Sequence, residues 1–128
     1  MPHLTIEYTA NLDAETDIGA LCKSLSRTLV DLKDKRAQPV FPFSGTRVLA
    51  YPARHYAVAD GGADRAFVYL NLRITPGRSQ ERLQAVGDAL LVQVKAHFAE
   101  LLARRSLRIT LHIDEGQPVY EGKAGSAA

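Results

Sequence analysis

The sequence has a single cysteine, Cys22, so no internal disulfide can form. That usage fits a reducing compartment, and a cytoplasmic setting is expected. Charge of one sign is scarce as well. The formal net charge is only +2, too little for the field that would hold nucleic acid or an anionic membrane surface. No apolar run approaches the roughly 20 residues that cross a bilayer. The opening MPHLTIEYTANL has no basic stretch and no long apolar run, so no signal peptide is expected. The four histidines (His3, His55, His97 and His112) fall into no ligand spacing with one another or with Cys22, so neither a metal site nor a cofactor is expected. DGGAD reads as a turn rather than a phosphate loop, and the serines lack a nucleophile elbow. What is left is an ordinary globular composition in 128 residues. That is enough for one domain over 1–128, with a loose tail from about 116 that includes GKAGSAA.

Periodicity supplies the elements. His3 to Tyr8 alternates polar and apolar residues, as a strand with one buried face does. Ile18, Leu21, Cys22, Leu25, Leu29 and Leu32 recur at helical spacing, with Cys22 on the buried stripe. AQPVFPFSG, with two prolines and a glycine, is a loop. Thr46 to Tyr51 reads as a second strand, and Ala66 to Ile74 as the clearest one. In the latter, Val68, Leu70, Leu72 and Ile74 face one way, and Phe67, Tyr69, Asn71 and Arg73 the other. Ser79 can cap a second helix whose stripe runs from Leu83 through Leu90, Val94 and Phe98 to Leu102. Leu107 to Ile113 is the last strand.

The order is βαββαβ, an α+β class. Each crossover is right-handed, which puts both helices on one face of a four-stranded sheet. The other face, carrying Phe67 and Tyr69, is left bare and calls for another subunit. Strands 1 and 2 run parallel because a helix joins them, and strand 3 runs antiparallel to strand 1, in either a ferredoxin-like or a tandem βαβ order. Pro2, Arg47 and Arg78 therefore gather at one sheet edge, where strands lie about 4.8 Å apart. Arg78 also precedes Ser79 at a helix N-terminus, which favours anions.

If Met1 is removed, Pro2 carries a free secondary amine. An α-amine titrates near pH 7.7–8.0, and apolar walls and arginine charges push it lower. A partly neutral amine is a good general base at neutral pH. Arginines fit carboxylates through two parallel hydrogen bonds. Amine and carboxylate clamps together fit proton transfer at a carbon beside a 2-oxo or 2-hydroxy acid.

The segments MPHLTIEYTANL, FPFSGTR and ADGGADRAFVYLNLRITPGRS, with the helix containing KAHFAELL, resemble the tautomerase superfamily, and within it the 5-carboxymethyl-2-hydroxymuconate isomerase family. The resemblance runs from Pro2 to about Glu115. It implies a homotrimer with helices outside. It implies Pro2 as the proton shuttle and Arg47 and Arg78 as carboxylate ligands, with Arg47 also favouring charge on the dienol oxygen. The implied reaction is ketonisation of a 2-hydroxymuconate, a dicarboxylate or tricarboxylate, in homoprotocatechuate degradation. Val48 and Leu49 stand where the family commonly has a second arginine, and the loop before Arg47 is long. Two competing readings are another tautomerase activity on unsaturated acids and a non-catalytic oligomeric module that binds a small acid.

Overall fold

The computed structural model describes residues 2–126. Met1, Ala127 and Ala128 lie outside them, so the first residue of the opening motif and the last two of GKAGSAA are not described. The order is β1 (His3–Thr9), α1 (Ile18–Asp31), β2 (Arg47–Ala53), β3 (Phe67–Ile74), α2 (Gln80–His97), α3 (Ala99–Arg104) and β4 (Arg108–Glu115), with short 3-10 turns at Ala10–Ala14 and Phe43–Gly45. Residues 116–126 form neither helix nor strand. No helix among the described residues is long and apolar enough to cross a membrane.

Four strands pair in the order β2-β1-β3-β4. β1 runs parallel to β2 and antiparallel to β3, and β3 runs parallel to β4. Each βαβ unit thus closes on its own two strands, and the tandem order holds rather than the ferredoxin-like one. Leu4, Ile6 and Tyr8 of β1 and Val68, Leu70, Leu72 and Ile74 of β3 are buried. They form one core with Leu21, Leu25 and Leu29 of α1 and Val86, Leu90 and Val94 of α2. Both long helices therefore cover the same face. The alternate residues, among them Leu49, Tyr51, Phe67 and Tyr69, lie on the open face.

The helices begin where the sequence caps them. The Asp17 carboxylate accepts from the Ala20 N–H (3.0 Å), and the Ser79 hydroxyl from the Arg82 N–H (3.2 Å), so each satisfies one orphan donor of a first turn. Gly77, with φ of 120°, makes the turn before Ser79 in a region that disfavours side chains.

Two elements depart from the periodicity. The second strand continues past Tyr51 through Pro52 to Ala53. β2 is an edge strand, where the N–H that proline lacks is not needed on the outer side. The second helix breaks at Phe98, whose φ of −98° and ψ of 10° leave the helical region. Phe98 is fully buried, and the His97 ring is hydrogen-bonded to the Thr16 hydroxyl (2.9 Å). Beyond the break Leu101 is buried while Leu102 turns outward. Apolar spacing runs through the break unchanged, so the pattern alone reads as one helix. Cys22 is half-buried against the core, as its place on the stripe requires.

Candidate active site

Three sheet elements converge at the edge where β1 begins. Pro2 is buried, one residue ahead of β1. Its carbonyl accepts a hydrogen bond from the Arg47 N–H (3.2 Å), which ties the first two predicted site residues together through the backbone. His3 is in register with Arg47 on one side and Arg73 on the other. Paired neighbours in a sheet point to the same face. Arg47, His3 and Arg73 therefore form a row across the open face, two cations flanking an imidazole. His3 sits beside Pro2 but points away from the core face. Glu7 lies four residues along β1, in register with Tyr69 rather than Arg73.

Arg78 comes to the same edge from the turn after β3, and its surroundings hold it firmly. Its Nη1 donates to the Thr75 carbonyl (3.1 Å) and to the Thr75 hydroxyl (3.5 Å), and its Nη2 to the Val40 carbonyl (3.3 Å). The guanidinium carbon stands 4.8 Å from the centre of the Phe41 ring. Burial first, and then the neighbouring Arg82 charge, pull its pKa below the ordinary value, while Glu115 acts the other way. Arginine keeps its charge at neutral pH all the same.

The aromatics Phe41, Phe43 and Tyr69 lie in different surroundings. Phe41 is buried under Arg78, and Phe43 is 78% exposed on its 3-10 turn. Tyr69 is on the open face, where its hydroxyl and the His112 ring nitrogen are hydrogen-bonded (3.0 Å). Core packing thus accounts for Phe41 alone of the three.

Arg73 was not among the sequence candidates. Its guanidinium lies close over Gly116, where the missing Cβ leaves room. Alternation along the strand puts it on the open face, but only the register pairs it with His3.

A concavity lies away from this edge. It has a volume of about 770 Å³ and is lined in part by Tyr8, Asp13, Asp17 and Cys22. The Tyr8 hydroxyl donates to Asp13 (2.7 Å), and its pKa is pushed up to about 12 by burial and then by that carboxylate. Burial also pushes the Cys22 thiol up. Both shifts favour the protonated forms of these two groups.

The chain has known relatives. A family model described as 5-carboxymethyl-2-hydroxymuconate isomerase matches residues 2–127. The Escherichia coli 5-carboxymethyl-2-hydroxymuconate Delta-isomerase is 33% identical over 123 residues, 96% of this chain and 93% of that protein. A solved 5-carboxymethyl-2-hydroxymuconate delta-isomerase superposes with a TM-score of 0.92 at 43% identity, over 98% of this chain and 89% of that one. A 5-carboxymethyl-2-hydroxymuconate isomerase from Deinococcus radiodurans R1 does so with a TM-score of 0.85 at 38% identity, over 98% and 90%.

The four-stranded sheet with its helices on one face is a tautomerase-superfamily fold. Within that class, the chain belongs to the 5-carboxymethyl-2-hydroxymuconate isomerase family, and it is an isomerase.

Proposed function

We propose that this isomerase ketonises 5-carboxymethyl-2-hydroxymuconate or a similar 2-hydroxymuconate, with Pro2 as the proton carrier and Arg47 and Arg78 as carboxylate ligands. The observation that carries the reading is the meeting of Pro2, Arg47 and Arg78 at one sheet edge, with Pro2 buried and bonded to Arg47.

In this reading Met1 is removed and the Pro2 nitrogen becomes a secondary amine. Its ring fixes the direction of the lone pair, and the flanking cations favour the neutral form. The amine takes the proton from the 2-hydroxyl. The C2–O bond becomes a carbonyl, the C2=C3 double bond moves to C3=C4, and the C4=C5 electrons take the proton back at C5. Atoms and electrons balance within the substrate, so the reaction calls for no co-reactant. Arg47 holds one carboxylate and favours negative charge on the dienol oxygen as its proton leaves. Arg78 holds another through parallel hydrogen bonds.

The reading includes a homotrimer working in the cytoplasm, in homoprotocatechuate degradation, as one domain with a loose tail. The open face with Leu49, Tyr51, Phe67 and Tyr69 supports an oligomer, because a sheet face of this kind usually meets another subunit.

The test begins with intact mass to establish a terminal proline, and sedimentation to count subunits. Ketonisation is then followed by ultraviolet absorbance. Pro2→Ala should lower kcat/KM by about 10²–10⁴. An unchanged rate, or a protein that keeps Met1 and is still active, refutes the proline mechanism. Retained methionine with no turnover favours the binding-module reading.

A further inference from the structure

We infer that Phe41 is a positioning residue for Arg78: its ring face and the adjoining Val40 carbonyl hold the guanidinium ready to receive a substrate carboxylate. The inference rests on the reading of Arg78 as a carboxylate ligand.

The long loop before Arg47 is a built element. Asp34 and Gln38 close it, N–H to carbonyl (2.8 Å), and the Val40 N–H returns to the Leu32 carbonyl (3.0 Å). Lys33 and Pro39 form an antiparallel bridge. The Asp34 carboxylate accepts from the N–H groups of Arg36 (2.8 Å) and Gln38 (3.0 Å). Those two backbone donors hold its pKa below the usual carboxylate range. A loop tied at so many points delivers Val40 and Phe41 to a defined place.

That place is beneath Arg78. Phe41 is only 1% exposed, yet its ring face is turned to a cation 4.8 Å away rather than wholly into the core. The negative face of an aromatic ring attracts a guanidinium at this distance. The carbonyls of Thr75 and Val40 hold it at its edges. A guanidinium has five N–H donors, and among the described residues Arg78 uses Nη1 and Nη2 in three hydrogen bonds. That leaves N–H groups for the oxygens of a carboxylate. Arginine has many rotamers, and one that is already ordered loses little freedom when a ligand arrives. The loop before Arg47 therefore has a use: it orders the second carboxylate clamp.

The test is a set of variants measured with 5-carboxymethyl-2-hydroxymuconate. Phe41→Leu keeps an apolar side chain and removes the ring face. It should raise KM about tenfold, the middle of the range for a partly desolvated cation over a ring, with kcat changed less than about twofold. In an Arg78→Ala background the same substitution should have no further effect on KM. Replacing Phe41 by trifluorophenylalanine, by codon suppression, weakens the negative face while nearly keeping the shape. It should raise KM in the same direction, and suppression with phenylalanine itself should restore it. The fluorinated ring preserves the test should Phe41→Leu fail to fold. A KM rise from Phe41→Leu that persists without Arg78, or a fluorinated ring indistinguishable from phenylalanine, overturns the inference. If Arg78→Ala alone leaves KM unchanged, it is the carboxylate reading of Arg78 that fails, and the two failures are thereby told apart.

Discussion

Truncating Glu15 should weaken the fold at the end of the sheet remote from Pro2 and leave catalysis untouched. Glu15 follows the 3-10 turn after β1, and its carboxylate is paired with Arg105, at the end of α3. Arg105 also donates through Nη2 to the Asp64 carbonyl (2.7 Å), in the loop before β3, and through Nε to the Ser106 carbonyl (3.2 Å). One guanidinium thus joins three segments far apart in the chain. Its side chain is 15% exposed and that of Glu15 24%, so water screens the pair only partly. Arg104, 51% exposed and 3.5 Å from the same carboxylate, adds little. A hydrogen bond between charged groups contributes about 1.5–3 kcal/mol. Arg105 keeps its two carbonyl partners when Glu15 is lost, so Glu15→Ala should cost about 2 kcal/mol, within that range. For a chain of this size that lowers Tm by about 6–10 °C. The assay is denaturant unfolding of Glu15→Ala, Arg105→Ala and the double variant, at one fixed protomer concentration because oligomers shift with dilution. The double-mutant cycle isolates the pair. A coupling under about 0.5 kcal/mol refutes the clamp. A change in kcat/KM at 25 °C refutes the separation of the two sheet ends.

Two further outcomes concern the core and pH. Leu25→Ala, at a fully buried position of α1, should cost about 2–5 kcal/mol by lost transfer energy and a residual cavity, read from the same denaturant curves. His97 is hydrogen-bonded to Thr16, and its pKa is lowered by burial first, with the Asp17 charge acting the other way. The unfolded chain therefore takes up this proton first, at about pH 6.5. The stability from His97 is complete above that pH and falls as pH drops through 6.5 toward the folded pKa. His97→Gln should flatten the stability–pH slope in that window, and an unchanged slope would show that other groups produce it.

Much of this protein could be read from short stretches of chain. All four strands, the caps at Asp17 and Ser79, and the burial of Val68, Leu70, Leu72 and Ile74 follow from neighbours a few residues apart, because alternation and capping are local events. Parallel β1 and β2 follow from the helix between them, which brings Pro2 and Arg47 to one edge. Folding decided the rest. The sequence left the strand order open, since two topologies bury the same residues equally well. The break at Phe98 was invisible because the apolar spacing runs across it. The proposed second role of Phe41 was not legible because its partner, Arg78, lies far along the chain, and so does the arginine that clasps Glu15. Such pairings arise when distant segments are packed together, and periodicity within one segment carries no information about them.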